Sequence, residues 1–260
     1  MYVTLTYMYR MIPKSQCKVL ILAAGIGSRL LPLTSTRPKC LVTLKGKPIL
    51  YYQLTALMRA GLDDVMIVVG YRGYMIKEYV ANEFPSLKVT FIENTDYAKT
   101  NKLHSWYLAK NFASSEKCIA LDSDIVFHPH IIEMARDETD LSGAALYVGE
   151  ITGGSDTLVV ADVGGRVTAI GKDIIRDAAT GTFTGIYVFS PGYSEVFFKK
   201  AGKIIQSGRE NLFGYDVVNA IRRERGWSLR AVNVGSVPFA EIDHVHEVIG
   251  AEQKMSPHLM

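Results

Sequence analysis

Apolar residues occur along the chain in short runs that alternate with segments of helical period. The continuous apolar runs Val19–Ala23 and Val65–Gly70 predict strands buried on both faces, as in a parallel sheet. Between them, Pro48 begins a segment of helical period that extends through Ala60 and stops at Gly61. The first part of the chain is therefore predicted to form a β-α-β unit.

The same alternation continues as far as Glu138. The elements predicted for this part are, in chain order, the helix Tyr74–Phe84, the strand Lys88–Ile92, the helix Asn101–Phe112, the strand Cys118–Leu121 and the helix His130–Glu138. Alternating strands and helices predict the α/β class. We expect a Rossmann-like, doubly wound sheet that is mixed but mostly parallel, with helices on both faces.

The pattern changes after Gly143, where strand-like segments follow one another with Gly- or Asp-rich turns between them. They are Gly143–Val148, Thr157–Asp162, Arg166–Gly171 and Thr182–Phe189. The pair Gly164-Gly165 is typical of a hairpin tip, so this part predicts a small antiparallel subregion. The remaining predicted elements are the helices Gly192–Gln206 and Tyr215–Arg225, the strand Ser228–Asn233 and the helix Val245–Gln253.

The expected organisation is one domain over residues 19–253, made of a half at 19–140 and a half at 141–253. Residues 1–18 are expected to be an N-terminal extension and residues 254–260 a tail. A length of 260 residues with 48% apolar and 21% charged residues is ordinary for a globular protein. The formal net charge of +3 comes without a long basic run, which argues against nucleic acid as a partner.

Cysteine usage and hydropathy bear on location. Cys17, Cys40 and Cys118 are few, odd in number and widely spaced, so they predict neither a disulfide framework nor a metal site, and they favour a reducing cytoplasm. No apolar run approaches the 18 or more residues of a membrane span. A homo-oligomer is compatible with the sequence.

The segment Val19–Lys39, VLILAAGIGSRLLPLTSTRPK, carries the strongest chemical signal. Glycines allow close backbone approach to a ligand and leave N–H groups free for phosphate oxygens. Arg29 and Lys39 add the fixed positive charge that a polyphosphate requires. The segment therefore predicts a buried strand followed by an anion-binding loop.

Two common phosphate motifs do not fit this loop. A dinucleotide-binding loop needs a third glycine where Leu30 stands, an uninterrupted helix where Pro32 and Pro38 stand, and an acidic residue about 20 positions later. A Walker A loop, G-x-x-x-x-G-K-[ST], has no counterpart in this segment. An ordinary Gly-rich turn is the non-functional alternative.

A third motif fits at every fixed position. The pattern G-x-G-[ST]-R-L-x-P-x-T-x-x-x-P-K resembles the signature loop of nucleotidyltransferases similar to sugar-1-phosphate nucleotidylyltransferases, which move a nucleoside monophosphate onto a phosphorylated acceptor and release pyrophosphate. Here it is carried by Gly25, Gly27, Ser28, Arg29, Leu30, Pro32, Thr34, Pro38 and Lys39. The resemblance implies that Ala24, Gly25, Gly27 and Ser28 bind the nucleotide, that Arg29 holds its β- and γ-phosphates, and that Lys39 holds the α-phosphate and acceptor.

Two aspartates are candidate ligands of Mg²⁺, a cation that prefers oxygen ligands. Asp122 and Asp124 stand where a predicted strand ends, which is the ligand-binding edge of an open α/β sheet. The resemblance assigns a metal-binding role to Asp124 and leaves Asp122 as an additional acid beside the nucleotide. It assigns the second metal aspartate to Asp243, for which a helix N-cap is the structural alternative.

The base and acceptor segments resemble those of cytidylyltransferases. Asn101, Ser105, Tyr107 and Leu108 match the Y-N-N-x-x-S-L-Y-L segment of phosphocholine cytidylyltransferases, which favours CTP and places Asn101 and Ser105 at the nucleotide. The match departs at Lys102 and His104. UTP, GTP or dTTP with a hexose-1-phosphate remains the alternative within the class.

The acceptor stays open at this stage. Lys172 matches a lysine that the family directs at the acceptor phosphate, and Gly185 and Tyr187 belong to the T-G-x-Y strand that lines acceptor pockets. The segment around Lys172 resembles inositol-1-phosphate cytidylyltransferases, so a polyol or sugar phosphate competes with phosphocholine. Aromatic residues that could surround a quaternary ammonium, or else pack in the core, are Trp106, Tyr147, Phe183, Tyr187 and Tyr215.

A protein of another class, a non-catalytic nucleotide-binding module, would be expected to have lost the loop cations or the metal acids. Arg29, Lys39, Asp124 and Asp243 are all present. The sequence therefore favours a Mg²⁺-dependent enzyme that uses an NTP, with CTP favoured, and a phosphorylated small-molecule acceptor.

Overall fold

The computed structural model describes residues 17–114, 116–139, 141–151, 157–224 and 226–255. The predicted extension at 1–18 lies outside these residues except for Cys17 and Lys18, which begin the first strand. The predicted tail at 254–260 lies outside them except for Lys254 and Met255, which end the last helix. None of the described helices combines the length and the apolar composition that a membrane span requires.

The described residues form thirteen strands and eight α-helices. The strands are β1 (Cys17–Ala23), β2 (Thr43–Leu44), β3 (Lys47–Pro48), β4 (Asp64–Val69), β5 (Lys88–Glu93), β6 (Lys117–Asp122), β7 (Ile125–Phe127), β8 (Ala144–Gly149), β9 (Leu158–Ala161), β10 (Val167–Gly171), β11 (Gly181–Phe189), β12 (Leu229–Asn233) and β13 (Phe239–Glu241). The helices are α1 (Ile49–Arg59), α2 (Gly73–Glu83), α3 (Lys102–Leu108), α4 (Lys110–Ala113), α5 (His130–Asp137), α6 (Pro191–Gln206), α7 (Gly214–Arg222) and α8 (Val245–Met255).

Nine of these strands form one mixed sheet in the order β10-β9-β11-β6-β1-β4-β5, with β8 paired to β11 and β12. Its centre is parallel, because β1 pairs in parallel with both β4 and β6, and β4 with β5. Strand β11 runs antiparallel to β6, β8 and β9. The predicted mixed, mostly parallel α/β sheet with an antiparallel subregion is confirmed.

Alternation along β1 explains why helices cover both faces. Val19 and Ile21 pack on one side with residues of α1, α2 and α5, whereas Leu20 and Leu22 pack on the other side with residues of α3, α6 and α7. Because successive side chains of a strand point to opposite faces, a continuous apolar run is stable only when both faces are covered.

Two details differ from the sequence prediction. The prediction of a single helix over Asn101–Phe112 is wrong. The helix α3 ends in a tight turn, in which the Ala109 N–H donates to the Trp106 carbonyl, three residues earlier, at 3.0 Å. A separate helix, α4, begins at Lys110. The short pairs β2–β3 and β7–β13 were not predicted, since strands of two or three residues show no period.

The hairpin tip predicted at Gly164-Gly165 is confirmed between β9 and β10.

Candidate active site

A single pocket of about 300 Å³ collects the predicted site residues from both halves of the sheet. Those lining it are Ala24, Gly25, Gly27, Ser28, Arg29, Lys39, Asn101, Ser105, Asp122, Asp124, Lys172, Gly185, Tyr187 and Asp243. It lies where β1 and β6 end, the edge at which open α/β sheets bind ligands. Every residue that the sequence proposed for the nucleotide, the metal and the acceptor phosphate therefore lines the same pocket.

The signature loop is shaped by glycine and threonine. Gly27 has φ +69°, and a Cβ added there would lie 3.0 Å from Cβ of Lys39. The Thr34 hydroxyl donates to the Gly27 carbonyl at 2.8 Å, which closes the loop on itself. A Cβ at Gly25 would meet nothing within 4 Å, so the lack of a side chain there leaves the pocket wall open to a ligand.

The acidic side of the pocket is built by the short pair β7–β13. Glu241 pairs with Ile125, and the Ile242 N–H donates to the Asp124 carbonyl at 2.9 Å. This pairing joins segments far apart in the chain. It brings together carboxylate oxygens of Asp124, Glu241 and Asp243 within 4.8 Å of one another.

The buried Gln53 of α1 holds the turn that carries Asp124. Its Nε2 donates to the carbonyls of Asp122 at 2.9 Å and Ile125 at 2.8 Å, one on each side of the turn. The strand β6 already ends at Asp122. Asp122 is thus still part of the strand, whereas Asp124 reaches the pocket from this anchored turn.

Lys39 lies between two of the carboxylates. Its Nζ donates to Asp124 at 2.7 Å and to Asp243 at 2.5 Å, and Arg29 pairs with the second oxygen of Asp243 at 2.7 Å. Burial would lower the pKa of Lys39, but the two carboxylates outweigh it and raise that pKa. The N-cap alternative for Asp243 does not describe these contacts, because its carboxylate is bound to Lys39 and Arg29. The side chain that accepts N–H groups next to α8 is Glu247, which accepts from the N–H groups of Asp243 and His244 just before the helix.

The donor set of the three acids fits a hard divalent cation. The Oδ1 atom of Asp124 is buried without a hydrogen-bond partner among the described residues, a costly state that a cation would relieve.

Burial and the charges of Asp124 and Asp243 raise the pKa of Glu241 to about 8. Sequence reasoning gave Glu241 no role, although its position two residues before Asp243 was a usable signal.

Lys102 is a cation that the sequence did not assign to the site. Its Nζ lies 3.1 Å from Asp122 and 3.9 Å from Asp124, and its side chain is 33% exposed toward the pocket. Burial would lower the pKa of Lys102, but Asp122, Asp124 and Glu241 together raise it. Burial would raise the pKa of Asp124, but Lys102 and Lys39 lower it well below its usual range.

The predicted base segment is held by its own hydrogen bonds. The Asn101 side chain caps α3 by accepting from the Lys102 N–H at 2.8 Å. Asn94, at the end of β5, donates to the Ser105 hydroxyl at 3.0 Å and is buried. Asn94 also lines the pocket, and the sequence gave no signal for it.

The other end of the pocket is aromatic. The rings of Phe213 and Tyr215 stack with their centroids 5.0 Å apart, and Lys172 Nζ lies 5.9 Å from the Phe213 ring centroid. A Cβ at Gly185, which has φ +83°, would lie 2.9 Å from Ile125, so only glycine fits there. We call this region, lined by Lys172, Gly185, Tyr187, Phe213 and Tyr215, the aromatic end.

Of the five aromatic residues that the sequence offered for surrounding an ammonium group, four line the pocket and one lies on the opposite face of the sheet. Trp106, Phe183, Tyr187 and Tyr215 line the pocket. Tyr147 is fully buried in the apolar cluster on the other face, and is wrong as a candidate for surrounding an ammonium group. Because β8 is covered on both faces, the sequence could not show which side its tyrosine takes.

Comparison with known proteins agrees with this arrangement. The family model of the nucleotidyl transferases matches residues 18–233. A 2-aminoethylphosphonate cytidylyltransferase of Lancefieldella rimae is 31% identical over 235 residues, which cover 88% of this chain and 89% of that protein.

Solved structures show the same fold. The CTP:phosphocholine cytidylyltransferase of Streptococcus pneumoniae is 25% identical, with a TM-score of 0.76 over 92% of this chain and 98% of that one. The inositol-1-phosphate CTP transferase of T. maritima, 22% identical, has a TM-score of 0.74 over 92% of this chain and 97% of that one. With the glycine loop, its two cations and the acidic cluster in one pocket, this chain belongs to the nucleotidyl transferase family and is an enzyme of that kind.

Proposed function

We propose that this enzyme transfers CMP from CTP to a small acceptor that carries a phosphate group, and releases pyrophosphate. The observation that supports this most is that one pocket contains both the loop cations and an acidic cluster. Arg29 and Lys39 form ion pairs with Asp243, and Lys39 also with Asp124. The carboxylate of Glu241 lies within 4.8 Å of those of Asp124 and Asp243. The similarity to cytidylyltransferases favours CTP among the nucleotides. Residues 19–140 would supply the nucleotide-binding half and residues 141–253 the acceptor-binding half.

In this proposal the chain acts by alignment and charge neutralisation. The acceptor phosphate is already mostly dianionic at neutral pH, since its second pKa is about 6, so no general base is needed. Arg29 would bind the β- and γ-phosphates, and Lys39 the α-phosphate and the attacking oxygen. Ala24, Gly25, Gly27 and Ser28 would surround the triphosphate, with Asn101, Ser105 and Asp122 beside the nucleoside.

The metal and the acceptor complete the proposal. Asp124 and Asp243 would hold Mg²⁺ with Glu241 beside them, and the ion would neutralise the charge of the phosphates when bound. Lys172 would bind the acceptor phosphate, with Gly185 and Tyr187 lining its pocket. A cytoplasmic location is part of the proposal, supported by the small, odd number of cysteines, all three of which are buried.

A pyrophosphate-release assay tests the function. CTP, UTP, GTP and dTTP are each combined with choline phosphate, inositol-1-phosphate, glycerol-3-phosphate and glucose-1-phosphate, with Mg²⁺ or EDTA. We expect release that needs Mg²⁺, an acceptor and CTP. Release with UTP, GTP or dTTP and only a hexose-1-phosphate would replace the proposal by the sugar-nucleotide alternative, and activity in EDTA would refute the metal assignment.

A matched pair of variants tests the site. Asp124→Asn removes a carboxylate from the cluster, and we expect turnover to fall at least a hundredfold. Asp177→Asn makes the same change at an exposed position, and we expect it to leave turnover unchanged. Equal activity of the two variants would remove Asp124 from the site.

A further inference from the structure

Lys102 is the pocket cation for which the proposed mechanism has no use. It is the first residue of α3 and lines the pocket together with the signature loop and the aromatic end. Its Nζ lies 3.1 Å from Oδ1 of Asp122, within ion-pair distance. The cytidylyltransferase segment that this part of the chain resembles has a neutral asparagine at this position.

Asp122 faces the aromatic end of the pocket. A Cβ added at Gly185 would lie 3.3 Å from the Asp122 Cβ. Burial raises the pKa of Tyr187 and that of Tyr215, and the negative charge of Asp122 adds to both shifts. The carboxylate of Asp122 is therefore near the residues proposed to line the acceptor site, where it could attract a positively charged acceptor group.

That carboxylate already has a counter-ion from the chain itself. A cationic acceptor near Asp122 would have to displace the Lys102 ammonium or lie beside it, and like charges in a partly desolvated pocket repel strongly. An acceptor without a positive charge meets no such repulsion. Specificity of this kind arises from a repulsive element built against the unwanted ligand.

We propose that Lys102 is a specificity-determining residue that makes the pocket discriminate against acceptors with a cationic group close to their phosphate. The preferred substrate class is then a phosphate ester of a neutral or anionic alcohol, such as a polyol. This inference rests on the proposed nucleotidyl transfer. It also separates this chain from relatives whose names specify aminoethylphosphonate or phosphocholine as acceptor.

Two acceptors that differ only in charge test the inference. Choline phosphate and 3,3-dimethylbutyl phosphate have the same shape, but the second has carbon in place of the quaternary nitrogen. We expect kcat/KM of the unchanged enzyme to be at least tenfold lower for choline phosphate. A factor of ten corresponds to about 1.4 kcal/mol.

The variants then assign the discrimination to Lys102. Lys102→Asn should move the ratio of the two kcat/KM values at least tenfold toward choline phosphate, and Lys102→Arg should keep the original ratio. Lys99→Asn makes the same change at an exposed position of the preceding loop and should also keep it. Asp122→Asn removes the nearest counter-ion of Lys102 and should increase the discrimination. This variant tests the same charge argument if Lys102→Asn folds poorly.

The outcomes are distinct. A ratio that stays within twofold in Lys102→Asn, or that changes equally in Lys102→Arg, would overturn this inference and leave the proposed function intact. An enzyme that transfers no nucleotide to any acceptor would overturn the proposed function and the inference with it.

Discussion

Replacing Lys39 by methionine removes the ammonium between Asp124 and Asp243 while keeping most of the side-chain volume. The Lys39 side chain is 12% exposed, and those of Asp124 and Asp243 are 9% and 8% exposed. Water therefore cannot fully replace the lost partner. Arg29 still contacts Asp243, and Lys102 still lies 3.9 Å from Asp124, so the carboxylates keep part of their compensation.

The magnitude follows from this burial. Removing one partner of a buried ion pair costs about 3–5 kcal/mol, and the remaining cations place the expected loss in the free energy of unfolding near the lower end, about 3 kcal/mol. For a domain of this size, each kcal/mol lowers the Tm by about 2–4 °C. We therefore expect Lys39→Met to melt roughly 6–12 °C below the unchanged protein in EDTA.

A divalent cation should reverse most of this loss, because the ammonium vacates a space between Asp124 and Asp243, whose carboxylates also lie near that of Glu241. A ligand at a hundred times its Kd stabilises the folded state by about 2.7 kcal/mol. Thermal melts with increasing Mn²⁺ should raise the Tm of Lys39→Met more than that of the unchanged protein, in which the ammonium competes for the same oxygens.

Lys47→Met is the matched control, since Lys47 is 49% exposed and lies 4.0 Å from Glu83. Exposed pairs of this kind contribute about 0–1 kcal/mol. The reasoning is refuted if Lys39→Met melts with the unchanged protein, or if Mn²⁺ raises its Tm no more than that of Lys47→Met.

Three further predictions follow from single contacts. Gly27→Ala adds a Cβ where φ is +69°, 3.0 Å from a neighbouring side chain, so CTP affinity by calorimetry should fall at least tenfold, whereas Gly250→Ala, in open space, should leave it unchanged. Burial and nearby carboxylates raise the pKa of Glu241 to about 8 from 4.5, so the folded state binds a proton that the unfolded chain has released. The free energy of unfolding in EDTA should then fall as pH rises from about 5 to about 9, and an equal slope in Glu241→Gln would contradict this. Gln53→Leu removes the Nε2 group that donates to two carbonyls of the turn carrying Asp124, and it should lower the free energy of unfolding in urea by about 2–4 kcal/mol. An unchanged urea midpoint would show that the turn holds without these two hydrogen bonds.

The signature loop was predictable because its chemistry is local. Gly27, Thr34 and Lys39 lie within thirteen positions of one another, and their contacts, the Thr34 hydroxyl on the Gly27 carbonyl and the close approach of Gly27 to Lys39, form within that segment. The apolar runs were equally readable, since a strand covered on both faces needs apolar residues at every position.

Glu241 and Lys102 were not predictable in the same way. Glu241 joins Asp124 only through the pairing of β13 with β7, two strands of three residues that leave no periodic signal. In the sequence, Lys102 is notable only because it departs from the phosphocholine cytidylyltransferase segment, which has asparagine at this position. Its ion pair with Asp122 requires α3 to begin beside the end of β6, which a helical period does not specify.

The sequence by itself determined the α/β class, the position of the phosphate loop and the residue types of the site, because periodicity and glycine chemistry act over a few neighbouring positions. Only the tertiary structure decided which charges meet. It placed Lys39 between two carboxylates more than eighty residues away in the chain, Glu241 beside them, and Lys102 against Asp122. Electrostatic interactions depend on distance and burial, and these are set when separate segments pack together.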